Sequence, residues 1–97
     1  MNLRILPSAL NDLREGWLFY EDQQTGLGDY FQDSLFSDID SLLLYPGIHR
    51  IVHGYHRLLS KRFPYAVYYD LKGNDEIIVW RVLDLRQDPE AIRRKLR

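Results

Sequence analysis

Ninety-seven residues have room for one modest core, and the 45% hydrophobic, 28% charged and 13% aromatic content excludes a disordered chain. No apolar run approaches the ~18 residues of a membrane-spanning helix, and the absence of cysteine excludes disulfides and thiolate metal sites. The net charge of -1 conceals an asymmetry: residues 1–47 set Arg4 and Arg14 against eight Asp and Glu, whereas residues 48–97 set eleven Lys and Arg against six Asp and Glu.

These features predict a single domain over residues 1–97. Met1-Asn2-Leu3-Arg4 lacks the apolar stretch of a signal peptide, so a cytoplasmic protein with no membrane partner is the expectation. The basic second half reads either as a face for an acidic partner or nucleic acid, or as an ordinary mixed surface.

Asn2 to Leu6 alternates polar and apolar residues at period two, which predicts a short first strand closed by Pro7. Ser8 stands as an N-cap ahead of Leu10, Leu13, Trp17 and Tyr20. Their spacing of three, four and three puts them on one stripe of a helix that runs to about Gln24. Gly26-Leu27-Gly28 breaks the chain, and Phe31, Leu35, Ile39 and Leu42 then form a second stripe ending at Tyr45-Pro46-Gly47. The two helices are expected to pair antiparallel, with their acidic residues toward water.

From Ile48 the period changes to that of strands. One is expected at Tyr55 to Lys61, with a start as early as Arg50 left open, another at Pro64 to Leu71 and a third at Glu76 to Arg86. Lys72-Gly73-Asn74-Asp75 supplies a tight hairpin between the last two. Asp88-Pro89-Glu90 has the cap, N1 and N2 of a short closing helix that carries Ala91, Ile92 and Leu96. The predicted class is α+β: an antiparallel sheet of about four strands, the helical hairpin on one face and a short C-terminal helix. Residues 65–69 and 77–80 are apolar on both faces, so the face away from the hairpin needs cover. Either part of it is a groove for another molecule, or long Arg and Tyr side chains close it.

The order of strand, helical hairpin, three antiparallel strands and basic tail resembles the RelE/ParE family of toxins over essentially the whole chain. The resemblance is carried by Ala9-Leu10-Asn11-Asp12-Leu13 with Trp17 and Tyr20, by Leu43-Leu44-Tyr45-Pro46-Gly47, and by three later segments. These are Arg62-Phe63-Pro64-Tyr65-Ala66-Val67-Tyr68-Tyr69, Ile77-Ile78-Val79-Trp80-Arg81-Val82-Leu83 and Arg86-Gln87-Asp88-Pro89. It implies the toxin component of a bacterial type II toxin-antitoxin system, associated with plasmid stabilization and growth inhibition, and neutralised by a cognate antitoxin protein. The family divides between inhibitors of DNA gyrase and enzymes that cleave messenger RNA on the ribosome; fold alone does not choose. Phe63-Pro64-Tyr65 resembles the ParE-like branch. Tyr65 stands where RelE-like ribonucleases have an arginine, and no Tyr or His follows Trp80. A gyrase inhibitor is therefore the favoured expectation, with a ribosome-dependent endoribonuclease or an inactive antitoxin-binding module as alternatives.

RNA cleavage through the 2′-hydroxyl needs a base, an acid and a cation for the charged phosphorane. On that alternative Arg57, Arg62 and Arg86 would hold phosphate charge and His56 would move protons, because arginine stays protonated. The competing reading of His56 is a water-facing strand histidine, and that of Arg86 a pairing with a nearby carboxylate. His49, His53 and His56 have the spacing of a metal site only on a helix, which Gly54 and the strand context oppose; no metal and no cofactor is expected. Tyr65, Trp80, Arg81, Arg93 and Arg94 are the expected partner-binding residues, on the exposed sheet face and closing helix.

Overall fold

In a computed structural model that describes all 97 residues, two helices lie over one face of a five-stranded sheet. The elements in chain order are β1 (Asn2–Ile5), α1 (Pro7–Gln23), α2 (Leu27–Asp40), a 3-10 turn (Ser41–Leu43), β2 (Ile51–Val52), β3 (Tyr55–Leu59), β4 (Tyr65–Lys72), β5 (Glu76–Asp84) and α3 (Pro89–Lys95). The sheet order is β1-β5-β4-β3-β2. No helix is long and apolar enough to cross a membrane.

The α+β class agrees with the pattern in the sequence, and the sheet differs from it in two details. Arg50 does not begin a continuous third strand: Ile51–Val52 forms a separate edge strand, turned back onto β3 at His53-Gly54. Both turn residues have positive φ, 54° and 86°, as a two-residue hairpin of the favoured twist requires. The other difference is that β1 runs parallel to β5, while every other pair is antiparallel. β5 is largely buried, so the backbone N–H and C=O groups along both of its edges need partners. β1 supplies those of the second edge, with Leu6 N–H donating to the Val79 carbonyl (3.0 Å) and Asn2 N–H to that of Asp75 (2.6 Å).

The start of α1 also differs. Leu6 remains extended and Pro7 takes the first helical position, where its missing N–H forfeits nothing and its fixed φ already suits a helix. Ser8 does not cap; its hydroxyl donates to the Trp80 carbonyl at 2.8 Å and ties the helix to β5. At α3 the expected cap is present, with Asp88 Oδ1 accepting from Glu90 N–H at 3.1 Å and Pro89 at N1.

The main core lies between the hairpin and the sheet. Phe31, Leu35, Ile39 and Leu42 from the second helical stripe are fully buried against Val67, Tyr69, Ile77, Val79 and Val82. Each such side chain contributes about 1.5–3 kcal/mol relative to exposure. On α1 the buried stripe is rotated from the expected one: Leu13 and Tyr20 are buried, but Leu10 is 48% exposed and Ala9, Asp12 and Gly16 take the inner positions. The rotation corrects the expectation that the hairpin's acids face water. Asp12 is 6% exposed and receives a two-pronged ion pair from Arg81, Nε at 2.7 Å and Nη2 at 2.8 Å, plus Val82 N–H at 3.0 Å. Asp38 is likewise buried and accepts from Ser60 Oγ at 2.6 Å.

The far face of the sheet has a smaller core of its own. Ala66, Tyr68 and Leu83 are covered by Ile92 and Leu96 of the closing helix and its C-terminal turn, with Tyr55 and Leu85 packed alongside. Cover is incomplete, because Leu59 on β3 and Trp80 on β5 remain 53% and 37% exposed.

Candidate functional site

Successive residues of a strand point to opposite faces, and this separates the residues expected to act together in RNA cleavage. His56 and Arg57 are neighbours on β3. The His56 ring stacks on Tyr69, on the hairpin side of the sheet, at a centroid distance of 5.1 Å and an interplanar angle of 24°. Arg57 is opposite Tyr68, on the face that α3 partly covers. Arg62 is exposed in the loop between β3 and β4, and Arg86 follows the end of β5. The β4 partner of His56, Tyr69, pairs with Val79, whereas Arg86 lies beyond Asp84. The separation along β5 is about 17 Å at the usual rise per strand residue.

Arg86 is also occupied. Its Nε and Nη2 donate to Asp84 at 3.0 and 2.8 Å, Nη2 reaches the Tyr20 hydroxyl at 3.1 Å, and the guanidinium lies 5.7 Å from the Phe19 ring centre. Burial works against the Asp84 charge, but the hydrogen bonds from Arg86 outweigh it and hold the carboxyl below its ordinary value. The carboxylate pairing is therefore the one the structure adopts for Arg86.

His56 is the one member of the set placed to exchange a proton. Its Nδ1 lies 2.8 Å from the His49 carbonyl oxygen, which can only accept, so Nδ1 carries a proton and Nε2 is the exchangeable nitrogen. Beside it, His49 Nδ1 is hydrogen-bonded to the buried Tyr69 hydroxyl, which also accepts from Gly47 N–H at 3.1 Å. No group of three or more His, Asp or Glu converges as a metal-binding cluster.

The His49 environment has a measurable consequence. Burial first, and the nearby His56 second, lower its pKa from 6.5. A histidine held neutral in the fold takes up its proton more readily when unfolded, so the unfolded state binds more protons below pH 6.5. Stability contributed by His49 is therefore complete above pH 6.5, and is lost progressively as the pH falls through the interval between the unfolded and folded values. Proton NMR titration should place the His49 midpoint below 6.5, and urea unfolding should show lower stability at pH 5.5 than at 7.5. A His49 midpoint at or above 6.5 refutes the assignment.

Of the five residues expected at the partner surface, three are outside and two are inside. Arg93 and Arg94 are exposed on α3, with Arg93 pairing with Glu90 at 3.4 Å. Trp80, opposite a register shift in β4, is beside the Tyr55 ring at 5.8 Å. It borders a depression of about 220 Å³ formed with Ser8, Tyr55, Arg81, Leu96 and Arg97. Tyr65 corrects the expectation: it is 7% exposed and packs edge-on against Phe31 in the main core at 4.8 Å. Burial, reinforced by the Asp84 charge, pushes its pKa up to about 12, so the phenol stays neutral and is no proton shuttle at physiological pH. Arg81 is committed inward as well, to Asp12 and, through Nη1, to the Lys95 carbonyl at 3.1 Å.

The surface residues missed from the sequence are Tyr55 and Leu59. Tyr55, Arg57 and Leu59 alternate at period two and all belong to the face shared with α3. That period-two alternation is the signal in the sequence that marks them. The arrangement is a depression of mixed lining, in which Tyr55, Trp80 and Leu96 lie beside Arg81, Lys95 and Arg97, suited to burying the apolar side of an acidic segment.

Comparison with known proteins bears on this geometry. Residues 3–89 match the family model described as the ParE toxin of type II toxin-antitoxin system, parDE. A solved structure described as the chromosomal ParDE TA system from P. aeruginosa contains a chain of similar fold, with a TM-score of 0.78. The likeness covers 89% of this chain and 97% of that one, at 21% sequence identity. No curated protein matches the sequence.

Proposed function

The chain belongs to the ParE toxin family of type II toxin-antitoxin systems, and from that premise we propose that it is the toxin of such a pair, acting on DNA gyrase and not on messenger RNA. The toxin works in the cytoplasm, where a cognate antitoxin holds it inactive by covering the face formed by Tyr55, Leu59, Trp80 and α3. The cationic rim of Arg93, Arg94 and Arg97 favours an acidic antitoxin segment, whose apolar side would meet Trp80 and Tyr55.

The observation that carries the gyrase reading is the dispersal of the candidate ribonuclease residues. A phosphorane needs its cations preorganised around one position, and removing a single such donor costs about a hundredfold or more in rate. Here the proton-transfer candidate His56 and the cation Arg86 are at distant points along the sheet, and Arg86 is already paired with Asp84. Tyr65, buried and neutral, supplies neither charge nor proton.

Purified toxin is expected to inhibit plasmid supercoiling by gyrase, and addition of the antitoxin encoded beside it to relieve the inhibition. Messenger RNA on translating ribosomes should remain intact. Codon-positioned cleavage that disappears in both His56→Ala and Arg86→Ala would overturn the reading and make the protein a ribonuclease.

A further inference from the structure

The chain between the 3-10 turn and β3 reaches the free edge of the sheet with little apolar anchorage. Leu44, Tyr45, Ile48 and Ile51 are between 60 and 74% exposed, and only Pro46, Gly47, His49 and Val52 of this stretch are partly covered. Polar contacts hold it instead. The Tyr69 hydroxyl on β4 is hydrogen-bonded to Gly47 N–H at 3.1 Å and to His49 Nδ1. The His49 carbonyl accepts from His56 Nδ1 of β3 at 2.8 Å, and the Arg50 carbonyl accepts from Arg57 N–H at 2.9 Å. Residues 44–52 are thus a strap fastened largely around one buried phenol.

The polarity of that fastening admits one protonation state of His49. A phenol has a single proton to give. Its oxygen accepts from Gly47 N–H, and its proton goes to His49 Nδ1, which is therefore an unprotonated ring nitrogen. A proton on Nδ1 would set two donors against the same oxygen. The phenol's own proton would then have no acceptor, because Tyr69 is fully buried and its hydroxyl has no other partner. Burial raises the Tyr69 pKa, so the phenol does not resolve the conflict by ionising.

We propose that His49 and Tyr69 form an acid-operated clasp: protonation of His49 releases residues 44–52 from the sheet edge, while the core between the hairpin and the sheet stays folded. Release forfeits little apolar burial, and segments with few buried apolar contacts are the ones that open locally. The groups that face His49 reinforce the direction. Tyr69 comes from β4 and His56 from β3, and His56 opposes a second positive charge beside it. Asp70 and Arg57, the chain neighbours of those two residues, point to the opposite face of the sheet. Arg50, next to His49 on the strap, is exposed. No ion pair in the molecule includes a histidine, so no carboxylate compensates the added charge. Opening returns His49 to water and to its ordinary value of 6.5, where it holds the proton that the closed form rejects, so acid favours the open strap.

Amide hydrogen exchange followed by NMR on the full chain, corrected for the intrinsic pH dependence of exchange, measures the opening directly. Protection of the Gly47 and Arg57 amides should fall as the pH is lowered from about 7.5 to about 5, by about tenfold for each unit between the open and closed values of His49. Amides in the pairing of β4 with β5 should keep their protection. His49→Gln puts a neutral acceptor in place of the ring and should keep the strap closed in acid. Tyr69→Phe removes the phenol oxygen at nearly constant volume and should leave the Gly47 amide unprotected at every pH. Strap protection that does not change with pH in the parent protein, or that falls equally in His49→Gln, would overturn the proposal. So would a parallel loss at the β4–β5 amides, which would make the event global unfolding. The parent protein's own profile decides the matter even where a variant fails to fold, and the readout involves neither gyrase nor the antitoxin.

Discussion

Asp12→Ala is expected to lower the unfolding free energy by about 3–5 kcal/mol, because it leaves Arg81 as an uncompensated charge in a largely dehydrated position. The Asp12 carboxylate is 6% exposed and accepts three hydrogen bonds, two from the Arg81 guanidinium and one from Val82 N–H. The last joins α1 directly to the backbone of β5. Hydrogen bonding to Asp12 raises the Arg81 pKa further, so the guanidinium cannot escape by losing its proton. A domain of this size has about 5–15 kcal/mol in all, so the loss should lower the melting temperature by about 12 °C or more. Asp12→Leu combined with Arg81→Met removes both charges and should restore a large part of the loss. Urea unfolding of the two variants checks both points. A cost below about 1 kcal/mol for Asp12→Ala would show that the pair contributes no more than an ordinary surface ion pair.

Asp12 also shows where sequence reading stopped. Helical spacing was sufficient to find both helices, because Phe31, Leu35, Ile39 and Leu42 repeat at the period of a helix and all four are buried. An aspartate on such a helix is ordinarily solvated, and no local feature reveals a partner 69 residues away. The parallel pairing of β1 with β5 was hidden for the same reason: it joins residues more than 70 positions apart, and alternation within Asn2–Ile5 says nothing about the direction of a neighbour. Ser8 was misread because Pro7 can either end a strand or begin a helix, and only the extended Leu6 before it decides.

The candidate site was less legible than the fold. Residue chemistry and the family resemblance grouped His56, Arg57, Arg62 and Arg86, and strand alternation with the β4–β5 register then dispersed them. Tyr65 was expected on the exposed sheet face, because the run at 65–69 is apolar on both sides, but it belongs to the hairpin-facing row with Val67 and Tyr69. Trp80 was legible because the both-sided apolar run at 77–80 required something exposed on the second face, which a closing helix of seven residues cannot cover. The charge asymmetry between the two halves also became a spatial division, since the acidic half contains β1 and the hairpin and the basic half the other four strands and α3.

Gly28→Ala is expected to destabilise the chain by about 1–3 kcal/mol, although alanine is the better helix former and Gly28 lies inside α2. A methyl group there would meet the Trp17 carbonyl oxygen at 2.7 Å and the Glu21 side chain at 2.8 Å. Backbone cannot move aside as a side-chain tip can, so the two helices must separate at their closest approach. The same residue anchors the start of α2. Glu21 Oε1 accepts from Gly28 N–H at 3.0 Å and from Gly26 N–H at 3.0 Å, so a carboxylate from α1 satisfies the free donors at the N-terminus of α2. Displacing Glu21 forfeits that arrangement, for which capping losses of about 1 kcal/mol are typical. The helix-propensity gain of about 1 kcal/mol offsets only part of the sum. Glu21→Ala separates the two causes, because it removes the cap without the clash and should cost less than Gly28→Ala. Chemical denaturation of both variants decides the matter: a Gly28→Ala protein as stable as the parent would mean that the hairpin spacing adapts, and that the tight approach of α1 and α2 is no constraint on the fold.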